Sequence, residues 1–155
     1  MKEQEYMLIS ADEMFGMLGD MLHEGLSVTF TVTGNSMWPL LRHKRDQVVL
    51  SIVDETQLKK GDIVLYSPYE GQFILHRITA IKSGKFRVTG DGNCFHDGYF
   101  PCTCVIGVVT SLKRGEKILD CKKTMLKLWS FLWIELYPVR RWLLWGLRKM
   151  EKLRK

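Results

Sequence analysis

Val28-Thr29-Phe30-Thr31-Val32-Thr33 runs straight into Gly34-Asn35-Ser36-Met37-Trp38-Pro39-Leu40-Leu41. The first six residues are β-branched or aromatic, the composition of a strand. Gly34 and Asn35 take turn geometry at little cost, and Pro39 fixes the backbone again three residues later. Ser36 therefore sits just past a strand end, where its hydroxyl faces solvent or a substrate. Such a site suits a nucleophile, and it also describes ordinary turn chemistry. Residues further along the chain decide between the two.

Outward from this stretch the pattern repeats. Leu26–Thr33, Gln47–Val53, Asp62–Tyr66, Gln72–Ala80, Lys85–Thr89 and Val105–Leu112 are short, rich in β-branched or aromatic residues, and bounded by Gly, Pro, Asp or Asn. Little helix intervenes. The expected fold is mainly β, a coiled sheet or barrel. Lys60-Gly61-Asp62 and Ser83-Gly84-Lys85 look like hairpin turns. Before the first strand, Ser10 or Asp12 is placed to cap a short helix reaching about His23. Its apolar face would be Met14, Phe15, Met17, Leu18, Met21 and Leu22, and Gly25 would end it. Three segments result: a helical segment 1–25, a β-rich domain 26–121, and a tail 122–155.

The tail differs in character. The chain has 155 residues and a net charge of +6, but residues 122–155 carry +8 and the remainder −2. The anionic partner therefore belongs to the tail, not the body. Four of the five tryptophans also lie here: Trp129, Trp133, Trp142 and Trp145. Two amphipathic helices are expected, broken at Pro138. Glu135 and Arg140-Arg141 interrupt the apolar run before it reaches the roughly 18–20 residues that a crossing needs. Tryptophan flanked by bases is the composition of a helix lying in a membrane interface, and that reading is favoured over helices packed on the β domain. The N-terminus has no secretory signal peptide pattern. Cys94, Cys102, Cys104 and Cys121 lack paired metal-ligand spacing, so no metal site or cofactor is expected and the thiols are read as free.

Three further spots join Ser36: His76 in Leu75-His76-Arg77, Asp91 in Gly90-Asp91-Gly92-Asn93, and Asp97 in Phe95-His96-Asp97-Gly98. Serine, histidine and aspartate make a nucleophile, a base and an orienting group. His43 and His96 are read as surface residues, and Arg77 as a strand-edge ion-pair partner.

These residues carry a resemblance. Gly34-Asn35-Ser36-Met37-Trp38-Pro39 resembles the Gly-x-Ser-Met-x-Pro box of the signal peptidase I family and its relatives, the self-cleaving SOS-type repressors. Asp46-Gln47-Val48-Val49, Lys60-Gly61-Asp62-Ile63-Val64, His76-Arg77, Gly90-Asp91-Gly92-Asn93 with Asp97, and Ile106-Gly107-Val108-Val109 come after it in the family's order. Arg45-Asp46 stands where the family has Gly-Asp. Histidine in place of a lysine base resembles the branch found in the endoplasmic reticulum, archaea and spore-forming bacteria. The resemblance implies a signal-peptidase-like coiled sheet, Ser36 as nucleophile and His76 as general base. Asp97 would orient His76, with Asp91 the alternative. It also implies an oxyanion hole using the Ser36 backbone N–H, and a peptide or protein substrate bound as an extended strand with Met37 near its pockets.

The function expected is therefore a serine endopeptidase cutting a signal or leader peptide. The family's N-terminal membrane anchor has no counterpart here, so the chain is expected on a membrane surface through 122–155. If that surface is the cytoplasmic leaflet, leader peptides suit it better than exported signal peptides. A self-cleaving repressor is disfavoured by the histidine base. The residues before Gly34 also leave room for one helix rather than a DNA-reading domain, and no nucleic-acid partner is expected. The remaining alternative is a non-catalytic β module that docks to a membrane or a partner through its basic tail.

Overall fold

A computed structural model describes residues 11–153. Its centre is an antiparallel eight-stranded sheet. The strands are β1 (Val28–Thr31), β2 (Asp46–Ser51), β3 (Ile63–Tyr66), β4 (Ile74–Lys82), β5 (Lys85–Thr89), β6 (Gly98–Pro101), β7 (Val105–Arg114) and β8 (Lys117–Asp120). Three helices accompany them: α1 (Ala11–His23), α2 (Thr124–Glu135) and α3 (Arg140–Leu153). The spatial order is β1-β2-β7-β3-β4-β5-β6, with β8 also on β7. β7 joins the halves. β2 runs along one edge, while β3 and then β8 share the other.

β3 shows why the sheet is buried on both faces. Its four residues are all buried, and they alternate between two cores. Ile63 and Leu65 join Leu18, Leu22, Met37, Leu41, Val48, Leu50, Val109 and Leu112. Val64 and Tyr66 join Leu58, Ile78, Phe86, Val88 and Cys102 on the opposite side. A period of two puts neighbours on opposite faces, so a fully apolar strand needs cover on each. α1 covers the first face with Leu18 and Leu22, one turn apart. Met17 and Met21, expected on that apolar face, are exposed instead. The expected caps fall on Ser10 and on the side chain of Asp12, which lie outside the described residues. Gly25, at φ +80°, closes the helix with its N–H on the Leu22 carbonyl.

Ser83 and Gly84, both at positive φ, form the tight turn between β4 and β5. Lys60–Asp62 is a turn but not a hairpin, because β7 lies between β2 and β3. Turn residues mark a change of direction and say nothing about which strand pairs next. β6 and β8, four residues each, escape a periodicity reading because both are edge strands with mixed burial.

Candidate active site

Three segments meet beside the sheet. The first is the turn after β1, carrying Ser36. The second is the β4 segment His76-Arg77. The third is the loop from Gly90 to Asp97 that joins β5 to β6.

β4 presents His76 and Arg77 in succession, so the two side chains leave on different sides. His76 is 6% exposed, and its Nδ1–H donates to the Asp97 carboxylate. The Asp97 backbone N–H is itself held by the Val88 carbonyl at 3.0 Å. With Nδ1 occupied, Nε2 carries the free lone pair of the neutral ring. That atom lies beside Gly90, near the Ser36 backbone carbonyl, and among the described residues no hydrogen bond joins it to the Ser36 hydroxyl. A methyl group on Gly90 would meet the Ser36 carbonyl oxygen at 2.5 Å and His76 Nε2 at 2.9 Å. Glycine is therefore required at position 90 by close approach. The Ser36 carbonyl is held by the Gly92 N–H at 2.7 Å, which ties the serine turn to the loop carrying Asp97. On its other flank the turn is held by His43, whose Nδ1 accepts the Gly34 N–H at 2.8 Å. His43 is exposed, as its sequence suggests, and it holds this turn from the surface.

The second aspartate is placed differently. Asp91 receives two parallel hydrogen bonds from Arg77, Nε to Oδ1 at 2.8 Å and Nη2 to Oδ2 at 2.7 Å. Both residues are 1% exposed. Arg77 also donates to the Gly61 carbonyl and to the Ser130 hydroxyl of α2. Asp91 is thus the partner of a buried arginine, and Asp97 is the partner of His76. Arg77 is no strand-edge pair, since it sits inside the molecule.

Met37, expected near a substrate pocket, is 2% exposed and packs into the first core with Leu41 and Val48. Its side chain holds the turn to the sheet. No carbonyl among the described residues accepts the Ser36 backbone N–H. Asp46 at the start of β2 is bound by the Arg42 N–H, Arg45 and Arg114. The four cysteines are free thiols, and no cluster of metal-binding side chains occurs among the described residues.

The tail packs on this site. Trp38, Trp133 and Leu144 form a third core with Trp129 and Leu147 against it. The Trp133 indole N–H donates to the Asp91 carbonyl at 3.1 Å, and the Tyr137 hydroxyl to the Cys94 carbonyl at 3.1 Å. Arg148 donates to the Gly92 carbonyl at 3.3 Å and lies over the Trp38 ring. His96 stacks on Tyr137 with ring centres 4.1 Å apart and bonds to the Thr89 hydroxyl. Burial pushes the His96 imidazole below its ordinary range, and Arg87 and Arg140 add to the effect against the pull of Asp97. This face of the tail is therefore covered by protein rather than lipid. Tryptophan beside bases has the same composition in either role, so sequence does not separate them. The opposite face is open: Trp142, Leu143, Trp145, Met150 and Leu153 are exposed on α3, among Arg141, Lys149 and Lys152. No helix of the described residues is long and apolar enough to cross a membrane. No family model matches the chain, and no curated protein matches it either.

Proposed function

We propose that this protein is a serine endopeptidase, related to the signal peptidase I family it resembles, with Ser36 as nucleophile, His76 as general base and Asp97 as the group that orients the base. The observation that carries this reading is the His76 ring. Its Nδ1 is bound to a carboxylate, while its Nε2 faces the Ser36 turn across Gly90. A serine hydroxyl attacks a peptide carbonyl only if its proton is removed during attack, and a base of this kind contributes roughly 10²–10⁴ in rate. Asp97 holds the tautomer that leaves Nε2 free to accept that proton, and it stabilises the imidazolium formed. The Ser36 backbone N–H would donate to the oxyanion.

The substrate would be a signal or leader peptide bound as an extended strand. β1 leads into the Ser36 turn and, among the described residues, pairs with β2 alone, so its outer edge offers a row of backbone donors and acceptors. We further propose that the open face of α3 lies on an anionic membrane surface. Trp142 and Trp145 would enter the interface, and Arg141, Lys149 and Lys152 would meet the headgroups.

The test compares new protein N-termini in cells carrying the wild type, Ser36→Ala and His76→Ala. A common set of termini is expected to vanish in both variants. Identical profiles in all three, with the protein abundant and folded, would return the chain to the reading of a non-catalytic docking module.

A further inference from the structure

We propose that α2 and α3 form a positioning element of the catalytic site, holding the Ser36 turn and the Asp97 loop in register with each other. The inference rests on the peptidase reading above, and it concerns residues of the tail that touch no substrate. The same hairpin grips both loops. On the nucleophile side, Trp38 stands two residues after Ser36 and shares a buried cluster with Trp133 and Leu144. On the acid side, the tail donates to three carbonyls of one short loop: Trp133 to Asp91, Arg148 to Gly92 and Tyr137 to Cys94. Tyr137 also stacks on His96, the residue before Asp97. Arg148 links the two sides by itself, since it bonds Gly92 while its guanidinium covers Trp38, 5.7 Å from the ring centre.

The loop from Gly90 to Cys94 offers those carbonyls outward, away from the sheet ladders, so they need donors from another element. A catalytic group displaced by a fraction of an ångström loses much of its effect, and loops hold position less well than strands or helices. The tail gives this loop the support that regular structure gives His76.

The experiment uses the full chain and the variants Tyr137→Phe, Tyr137→Ala, Arg148→Ala and Arg148→Lys. Tyr137→Phe keeps the ring on His96 and removes one hydrogen bond, so it folds. With a peptide spanning a bond whose cleavage depends on Ser36, kcat is expected to fall about three- to tenfold in Tyr137→Phe and further in Tyr137→Ala, with KM unchanged. Arg148→Lys is expected to recover part of what Arg148→Ala loses. A second readout needs no substrate: the far-downfield proton resonance of His76 Nδ1–H on Asp97 is expected to shift or broaden in the same rank order. Unchanged kcat and an unchanged resonance in Tyr137→Ala and Arg148→Ala would overturn the proposal. So would a lowered melting temperature with wild-type kcat, which marks a merely structural contact. Absence of Ser36-dependent cleavage in the wild type sinks the peptidase reading instead, and the resonance still reports whether the tail positions the pair.

Discussion

Asp91 and Asp97 lie six residues apart in one loop and meet different partners. Their spacing leaves both within reach of the histidine on β4, and only the path of the loop sends one to Arg77 and the other to His76. The difference is testable. Asp97→Asn keeps the shape but no longer holds the tautomer that frees Nε2. Its kcat is expected to drop by on the order of 10²–10⁴ with little change in melting temperature. Asp91→Asn leaves a buried guanidinium without its counter-charge, at a cost of about 3–5 kcal/mol. Its principal effect is expected in urea unfolding, with activity lost only as the fold is lost. The reverse pattern would exchange the two assignments. Gly90 is legible in sequence as a turn residue, but the reason for glycine there is not. It is the approach of two backbones and an imidazole, set by contacts between distant segments.

At the scale of elements, the strands are legible and their partners are not. Alternation and turn residues locate β1–β5 and β7 within a few positions. They do not say that β7 separates β2 from β3. The tail shows the same divide. Its composition indicates helices broken near Pro138, and the break lies at the short helical turn Tyr137–Val139 between α2 and α3. Composition indicates one role for the tryptophans, whereas Trp133 is buried and Trp142 is 74% exposed. The buried face carries Arg140, bonded to the Trp133 carbonyl and covered by the Trp133 and Tyr137 rings. The open face is the one that the proposed membrane contact would use. The double variant Trp142→Glu with Trp145→Glu is therefore expected to abolish cosedimentation with vesicles containing phosphatidylglycerol while leaving circular dichroism unchanged. Binding that persists in this variant would remove α3 from the proposed membrane contact.

At the scale of the molecule, Asp46 ties distant parts together. It sits at the head of β2, 1% exposed, with Arg114 of β7 and the Arg45 side chain on its oxygens. Arg114 continues to the Leu40 carbonyl, behind the serine turn. Burial alone would push the Asp46 carboxyl up. The bonds from Arg45, Arg114 and the Arg42 amide outweigh it and hold the carboxyl at about 2. The folded value lies below that of a free aspartate, about 3.9. The contribution is therefore complete above about pH 4 and lost as pH falls toward 2, on the order of 2 kcal/mol. Asp46→Asn is expected to be less stable at pH 6 and to lose less between about pH 4 and 2. Equal acid sensitivity in urea unfolding of the two proteins would exclude Asp46 as the source.

What the sequence determined by itself was local: a β-rich body, a helix before it and helices after it, and a serine, a histidine and two aspartates on turns and a strand. These arise from backbone preference and from a period of two or 3.6, which neighbouring residues decide among themselves. The tertiary structure alone decided which aspartate meets His76, that Met37 faces the core, and that the tail packs one face against the candidate site and leaves the other open. Those outcomes depend on segments far apart in the chain arriving at one place. Composition is blind to that, because an apolar or basic side chain has the same chemistry whichever neighbour eventually covers it.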